Sequence, residues 1–406
     1  MITTADSIQT IEIALTQASS GHPKESGRFT LDGSAELEKH LERTCQQVLA
    51  GVRRLIPGRR LAGLLLGGGY GRGEGGVLKT GAGDHPYNDL EFYVFLRGNN
   101  FLNERRYHAA FDELGRQLSP VAGVEVEFKL LSLAKLRRSP ASMFYYDLVV
   151  GNRRLWGAEG LLSDCGRHRD AGGIPLAEAT RLLLNRCSGL LFARERLERA
   201  AWSPEDADFV GRNLAKTQLA CGDAVLTAFG QYHWSCLERH RRLRRLKAPE
   251  DLPWLSETRR HHHSGVAFKL RPRRTAASRS ALMEMLEQLS SLSRQIWLWV
   301  ESRRLNCSFV SARDYASSSV NKCPETGGWR NRAVNVRTFG LTALLDPNGS
   351  RYPRERVFHS LAWLLWPGAG PDESELLRHV GRELGAAVNS PSEALAAYTA
   401  LWRRFR

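Results

Sequence analysis

The sequence predicts a mixed α+β part followed by a mostly α-helical C-terminal part. Three observations carry this. Over the first 160 residues, short apolar runs of strand length alternate with helical patterns. Past Gly172-Gly173, apolar residues recur at helical spacing over long stretches. The composition, 42% apolar and 25% charged over 406 residues, is that of a folded globular chain with enough apolar surface for two or three domains. The expected boundaries are a loose leader over 1–33, an α+β domain over 34–160, a helical bundle over 174–305 and a helical extension over 306–406.

The elements follow in order. From Ser34, the residues Leu37, Leu41, Cys45, Val48, Val52 and Leu55 form one helical stripe, ended by Pro57-Gly58. Leu61–Leu66 reads as a strand and runs into the densest glycine cluster of the chain, Gly67–Gly76. Leu90–Leu96 is a second strand, a helix is expected around Glu104–Leu118, and Val124–Leu131 is a third strand. In that third strand Val124, Val126 and Phe128 share one face, and Glu125, Glu127 and Lys129 share the other. Leu176–Ala200 is a long helix. Ser203-Pro204 opens another, expected to run to about Leu246 before Pro249 and Pro253. Arg259–Arg274, with His261-His262-His263, reads as an exposed basic loop. Ala276–Arg304 is a third long helix with Leu282, Leu286, Leu289, Ile296 and Val300 on one face. No internal repeat of fixed period is present.

Charge and cysteine usage narrow the function classes. Lys plus Arg number 58 against 43 Asp plus Glu, a net +15 that favours polyanionic partners such as nucleotides or RNA. The seven cysteines contain no C-x-x-C pair, which argues against a zinc ribbon or redox motif. No apolar run is long enough for a membrane helix and the first 20 residues do not read as a signal peptide, so a cytoplasmic protein with no membrane partner is expected.

The chemistry concentrates in Leu64–Leu96. A strand ends in a glycine-rich turn, where backbone can approach a ligand closely and N–H groups can cradle phosphate. Asp89 and Glu91 head the next strand two residues apart, so both side chains project from one face beside the glycines. Two carboxylates there form a hard oxygen site suited to Mg²⁺ together with substrate phosphates. Gly71, Gly73 and Gly76 also match G-x-G-x-x-G, but Gly81, Gly83 and Pro86 leave no room for the helix that a Rossmann dinucleotide site requires. No G-K-[ST] is present, which excludes a Walker loop.

Gly68-Gly69-Tyr70-Gly71-Arg72-Gly73-Glu74 with Asn88-Asp89-Leu90-Glu91 resembles the signature of the DNA polymerase β-type nucleotidyltransferase superfamily. The nearest likeness is to bacterial two-domain aminoglycoside nucleotidyltransferases and minimal nucleotidyltransferase antitoxins. It is specific over Leu64–Leu96 and looser to Gly157, where Arg154-Leu155-Trp156-Gly157 resembles a closing strand. Gly69 and Asn88 stand where serine is commoner, Glu91 replaces a second aspartate, and loop Val77–His85 is longer than in compact members. The resemblance implies a palm-like mixed sheet with helices and transfer of a nucleoside monophosphate from an NTP to a hydroxyl, with release of pyrophosphate. It implies two Mg²⁺ ions held by Asp89, Glu91 and a third carboxylate, Glu127 in preference to Glu125, which assists or deprotonates the acceptor. It also implies nucleotide contacts from Gly68, Gly69, Arg72 and a lysine of the helical part, for which Lys216 is the candidate. The acceptor is a small molecule, an RNA 3′ end such as tRNA, or a protein hydroxyl. The alternatives are a non-catalytic nucleotide- or RNA-binding module of the same fold, and a Rossmann protein.

Overall fold

The structure is a computed structural model that describes residues 27–346, 349–368 and 372–406. Most of the expected leader, residues 1–26, lies outside the described residues. The remainder of it is not loose. Phe29 is buried, the Gly75 N–H donates to the Phe29 carbonyl, and Glu38 accepts from the Phe29 and Thr30 N–H groups.

The chain forms two compact units. The first comprises the chain up to Glu178 together with Phe229–Asp251 and Arg259–Arg274. The second comprises Ala179–Ala228, Leu252–Thr258 and Thr275–Arg406. This differs from the expected division: two stretches of the expected bundle belong with the sheet, and residues 306–406 share a unit with the long helices.

The first unit is built on a four-stranded mixed sheet. Helix α1 (Ala35–Leu55) is capped by the Ser34 hydroxyl, which accepts from the Leu37 N–H, and it stops before Pro57. Then come β1 (Leu61–Leu66), a single helical turn at Gly68–Gly71, the hairpin β2 (Val77–Thr80) and β3 (Gly83–Pro86), and β4 (Leu90–Leu96). Next are α2 (Asn100–Ala122), β5 (Val126–Leu131), α3 (Leu133–Arg138), α4 (Met143–Val150) and β6 (Arg153–Gly157). The sheet order is β5-β4-β1-β6, with β4 and β5 parallel and the other pairs antiparallel. The hairpin occupies the place of a Rossmann helix, so that arrangement is not formed.

The two-residue period of β4 sorts its side chains between two layers. Phe92 and Val94 join Leu41, Val48, Val52, Phe111 and Val126 under α1 and α2. Tyr93 and Phe95 join Leu65, Leu136, Leu148 and Val149 under α3 and α4. Glu91 therefore falls on the α3/α4 face, at the end of β4 where apolar cover gives way to the glycine turn.

In the second unit, α5 (Ala177–Glu198) and α6 (Pro204–Ala228) precede a long helix over Arg279–Leu305 and the shorter helices that follow it. Trp297 is fully buried there, with the rings of Tyr315, Phe358 and Trp366 around it. Lys216 lies in this unit on α6, exposed, whereas Asp223 on the same helix is buried.

Two sequence expectations are corrected. The helix opened by Pro204 ends at Ala228, not near Leu246: Gly230 takes a left-handed φ of 65°, and a new helix α7 (Cys236–Arg245) starts after Ser235. The chain over Arg259–Arg274 is not an exposed loop, because helix α8 (Leu255–Leu270) runs through most of it. His261 and His262 are buried, and His240 of α7 takes up its two ring nitrogens at 3.3 Å from His262 Nδ1 and 3.2 Å from His263 Nδ1. Buried imidazoles supply the packing that no apolar stripe announced. Burial, with His262, His263 and Arg244 nearby, pushes His240 down to about 3.

Helix α7 is tied to the glycine turn by one carboxylate. Glu74 is 0% exposed and accepts from the hydroxyl of the N-cap residue Ser235 at 2.5 Å and from the Cys236 N–H, a free donor of the first turn of α7, at 2.8 Å. Glu74→Ala leaves those donors without an acceptor and is expected to cost roughly 2–4 kcal/mol. Glu74→Gln, which keeps an acceptor of the same shape, costs less. Urea unfolding of the three proteins checks the order; an alanine variant within about 0.5 kcal/mol of the parent contradicts the anchoring role.

Candidate functional site

Parallel pairing sets the site. In the β4–β5 register Glu91 stands opposite Glu127, and Tyr93 opposite Lys129. All four side chains belong to one face of the sheet, and Asp89 precedes β4 on the same period. Asp89, Glu91 and Glu127 each offer a carboxylate oxygen, and these atoms lie within 4.8 Å of one another. Among the described residues no other group of three His, Cys, Asp or Glu side chains does so. Glu125 is exposed and precedes β5, so Glu127 is the third acid of the cluster.

Neighbouring groups divide the electrostatics unevenly. Lys129 Nζ sits 3.3 Å from Glu91 Oε1 and 3.3 Å from Glu127 Oε2. The Tyr93 hydroxyl donates to Glu91 Oε2 at 2.7 Å. Burial pulls the Glu91 carboxyl upward, but the Lys129 charge and the hydrogen bonds from Tyr93 and Lys129 outweigh it and hold Glu91 below the usual range. Asp89 is shifted the other way, first by burial and then by the negative charges of Glu91 and Glu127. Burial lowers Lys129, yet the two glutamates more than compensate and raise it.

The glycine turn is fixed beside these acids. Gly67 donates its N–H to the Glu91 carbonyl at 2.9 Å, which joins the turn to the strand that carries the acids. Gly68 has a φ of 61°, and a Cβ there would lie 3.6 Å from Glu91 Oε2. Gly68 and Gly69 thus head a turn that faces the carboxylates with bare backbone. Tyr70 is buried; its hydroxyl donates to the Gly76 carbonyl at 2.8 Å and accepts from the Tyr87 N–H at 2.9 Å. A Cβ at Gly71 would run into the Leu66 carbonyl.

Arg72 and Glu74 do not pair with each other. Arg72 is only 7% exposed and donates from Nη1 to Asp147 Oδ2 of α4 at 2.6 Å. The Tyr232 hydroxyl donates to the same oxygen at 3.3 Å and accepts from Arg239 Nη1 at 2.6 Å. The guanidinium expected to contact nucleotide is therefore built into the wall behind the turn. Arg239 is buried, and Arg241 and Arg242 pair with Glu238, so only Arg244, Arg245 and Lys247 of that basic helix end are exposed. Lys216 and the carboxylates belong to different units.

The donor set fits a hard divalent cation. All three ligands are carboxylate oxygens, which suits Mg²⁺ or Mn²⁺ rather than a soft metal. An ammonium group already seated against two of them shows that the cluster accommodates positive charge.

The chain matches no known protein-family model, no curated protein and no solved structure.

Three site residues escaped the sequence reading. Tyr93 and Lys129 lie two residues beyond Glu91 and Glu127, so the strand period already put them beside the acids. Ser235-Cys236-Leu237-Glu238 carries the capping-box pattern and marks where α7 begins: the Glu238 N–H donates to the Ser235 hydroxyl at 3.1 Å, while the Glu238 carboxylate pairs with Arg241 and Arg242.

Two outcomes follow. The lowered Glu91 carboxyl contributes stability that is present above its ordinary value and lost as pH falls through its folded value. Tyr93→Phe removes one cause of that lowering, so the variant is expected to be about 1–2 kcal/mol less stable at pH 7, with the gap closing as pH falls through the folded value of Glu91. Denaturant titrations across that range test this; a gap that does not depend on pH contradicts it. Gly69→Ser would restore the residue common in the resembled superfamily, but a Cβ there meets the Glu74 carbonyl oxygen at 2.9 Å. The serine variant is expected to melt lower than the parent; an unchanged melting temperature contradicts this packing.

Proposed function

We propose that the first unit transfers a nucleoside monophosphate from an NTP to a hydroxyl acceptor. The observation that supports this best is the convergence of Asp89, Glu91 and Glu127 beside a glycine turn whose backbone faces them. Carboxylates alone repel a triphosphate. They become useful to one when a divalent cation lies between the two sets of oxygens.

Asp89 and Glu91 are the residues that would hold such an ion. When bound, it supplies charge neutralisation at the triphosphate and at the leaving pyrophosphate. Gly68 and Gly69 allow phosphate to approach the backbone without a side chain in the way. Glu127 is more exposed than Glu91, and on this reading it is the carboxylate that takes the acceptor proton. In that reaction the acceptor oxygen bonds to the α-phosphorus, the bond from the α-phosphorus to the pyrophosphate oxygen breaks, pyrophosphate leaves, and the hydroxyl proton passes to Glu127. Arg72 and Glu74 act behind the turn as positioning residues. The net charge of +15 favours an acceptor that is itself anionic, such as an RNA end, over a polycation.

A non-catalytic nucleotide-binding module is the competing reading, and the Lys129 ammonium bridging two of the acids is what favours it. Two measurements on the purified full chain separate them. With each NTP, in the presence and absence of Mg²⁺, one nucleotide is expected to raise the melting temperature only when the metal is present. Pyrophosphate release from that NTP with an RNA acceptor is expected to fall about 100-fold or more in Asp89→Asn and in Glu127→Gln. In metal-free buffer Asp89→Asn is expected to melt higher than the parent, because it removes a carboxyl that the fold holds against burial and like charge. Full pyrophosphate release by Asp89→Asn contradicts the assignment. A nucleotide shift without any turnover supports the binding module.

A further inference from the structure

We propose that the Lys129 ammonium is a built-in cation of the carboxylate cluster, so that the site takes one divalent ion, on Asp89 and Glu91, instead of two. The inference rests on the transferase reading for its consequence, but its geometry is independent of that reading. Nζ lies at the same 3.3 Å from an oxygen of Glu91 and an oxygen of Glu127. These are the register partners across the parallel strands, and an ion bridging them would need the space the ammonium fills.

The ammonium is held from more than one side. Lys129 stands opposite Tyr93 in the register, and Nζ is 5.7 Å from the centre of the Tyr93 ring, within cation–π range. The same Tyr93 donates its hydroxyl to the second oxygen of Glu91. Tyr93 therefore orients both members of the pair, the acid through its hydroxyl and the ammonium through its ring.

The charge balance agrees. Three carboxylates and one ammonium leave two net negative charges, which one divalent ion neutralises. A second divalent ion would have to share Glu91 and Glu127 with a fixed positive charge. Lys129 thus takes the electrostatic place of a second metal, and it ties Glu127 to the cluster as an acid available to the acceptor.

The test is a Mn²⁺ titration of the full chain, with free Mn²⁺ read by electron paramagnetic resonance, on the parent and on Lys129→Met, Lys129→Gln and Lys129→Arg. Lys129 is partly exposed, and a cooperative thermal melt establishes that each variant is folded. The parent and the arginine variant are expected to bind one ion. The methionine and glutamine variants are expected to bind two, or to bind the first about tenfold more tightly. Two ions in the parent, or neutral variants that titrate like the parent, overturn the inference and leave the transferase reading standing. No ion in the parent but one in the neutral variants overturns the one-ion inference and the metal-dependent transferase together, and leaves Lys129 as the sole cation of the cluster. No ion in any of the four overturns both.

Discussion

The parallel register of β4 and β5 places Glu91 against Glu127, and this juxtaposition of like charges is the constraint to which the surrounding structure responds. Two like unit charges about 4 Å apart in partly screened surroundings repel by about 4 kcal/mol. Burial of Asp89 next to them adds to the cost. The fold offsets part of it with Lys129 from the same strand as Glu127 and with the Tyr93 hydroxyl from the same strand as Glu91. The residual strain appears at Asp89, whose carboxyl is held above its ordinary range. A cluster kept at such cost could hold a cation, which is the basis of the proposed reading.

Around that cluster the chain spends its buried polar groups on holding a single turn. Glu74 reaches from the glycine segment to the start of α7, Arg72 reaches to Asp147 on α4, and Tyr70 closes the turn onto Gly76 and Tyr87. Each is a charged or hydroxyl group removed from water and hydrogen-bonded, Glu74 and Arg72 to partners distant in sequence and Tyr70 to partners close by. Such networks specify one arrangement, because breaking any member strands the others. The turn itself carries almost no side chains on the carboxylate side. Its shape is thus imposed from behind.

Much of this was legible in the sequence, and the parts that were not share a cause. The stripe Leu37, Leu41, Cys45, Val48 and Val52 and the strands Leu61–Leu66 and Leu90–Leu96 are strongly periodic, and they stand where the period put them. Asp89 and Glu91 are conspicuous as carboxylates at the head of a strand next to glycines, whereas Glu127 is singled out over Glu125 only by the third acid that the resemblance implies. The His261–His263 helix was missed because histidines count as polar until a second set of imidazoles, here His240, is known to pack on them. The break after Ala228 was missed because one glycine in a long helical pattern is usually tolerated; here Gly230 and the Ser235 cap act together. Arg72 read as a phosphate contact for want of its partner. Asp147 lies far along the chain, and no local pattern reveals such a pairing.

On the proposed reading, the glycine turn and the three acids form one nucleotide site. A crystal structure of the full chain grown with Mn²⁺ and a non-hydrolysable NTP tests it most directly, with the anomalous signal locating the metal. Manganese is expected on Asp89 and Glu91, with the triphosphate lying along Gly68 and Gly69. Nucleotide bound elsewhere, with no metal at the acids, would contradict it.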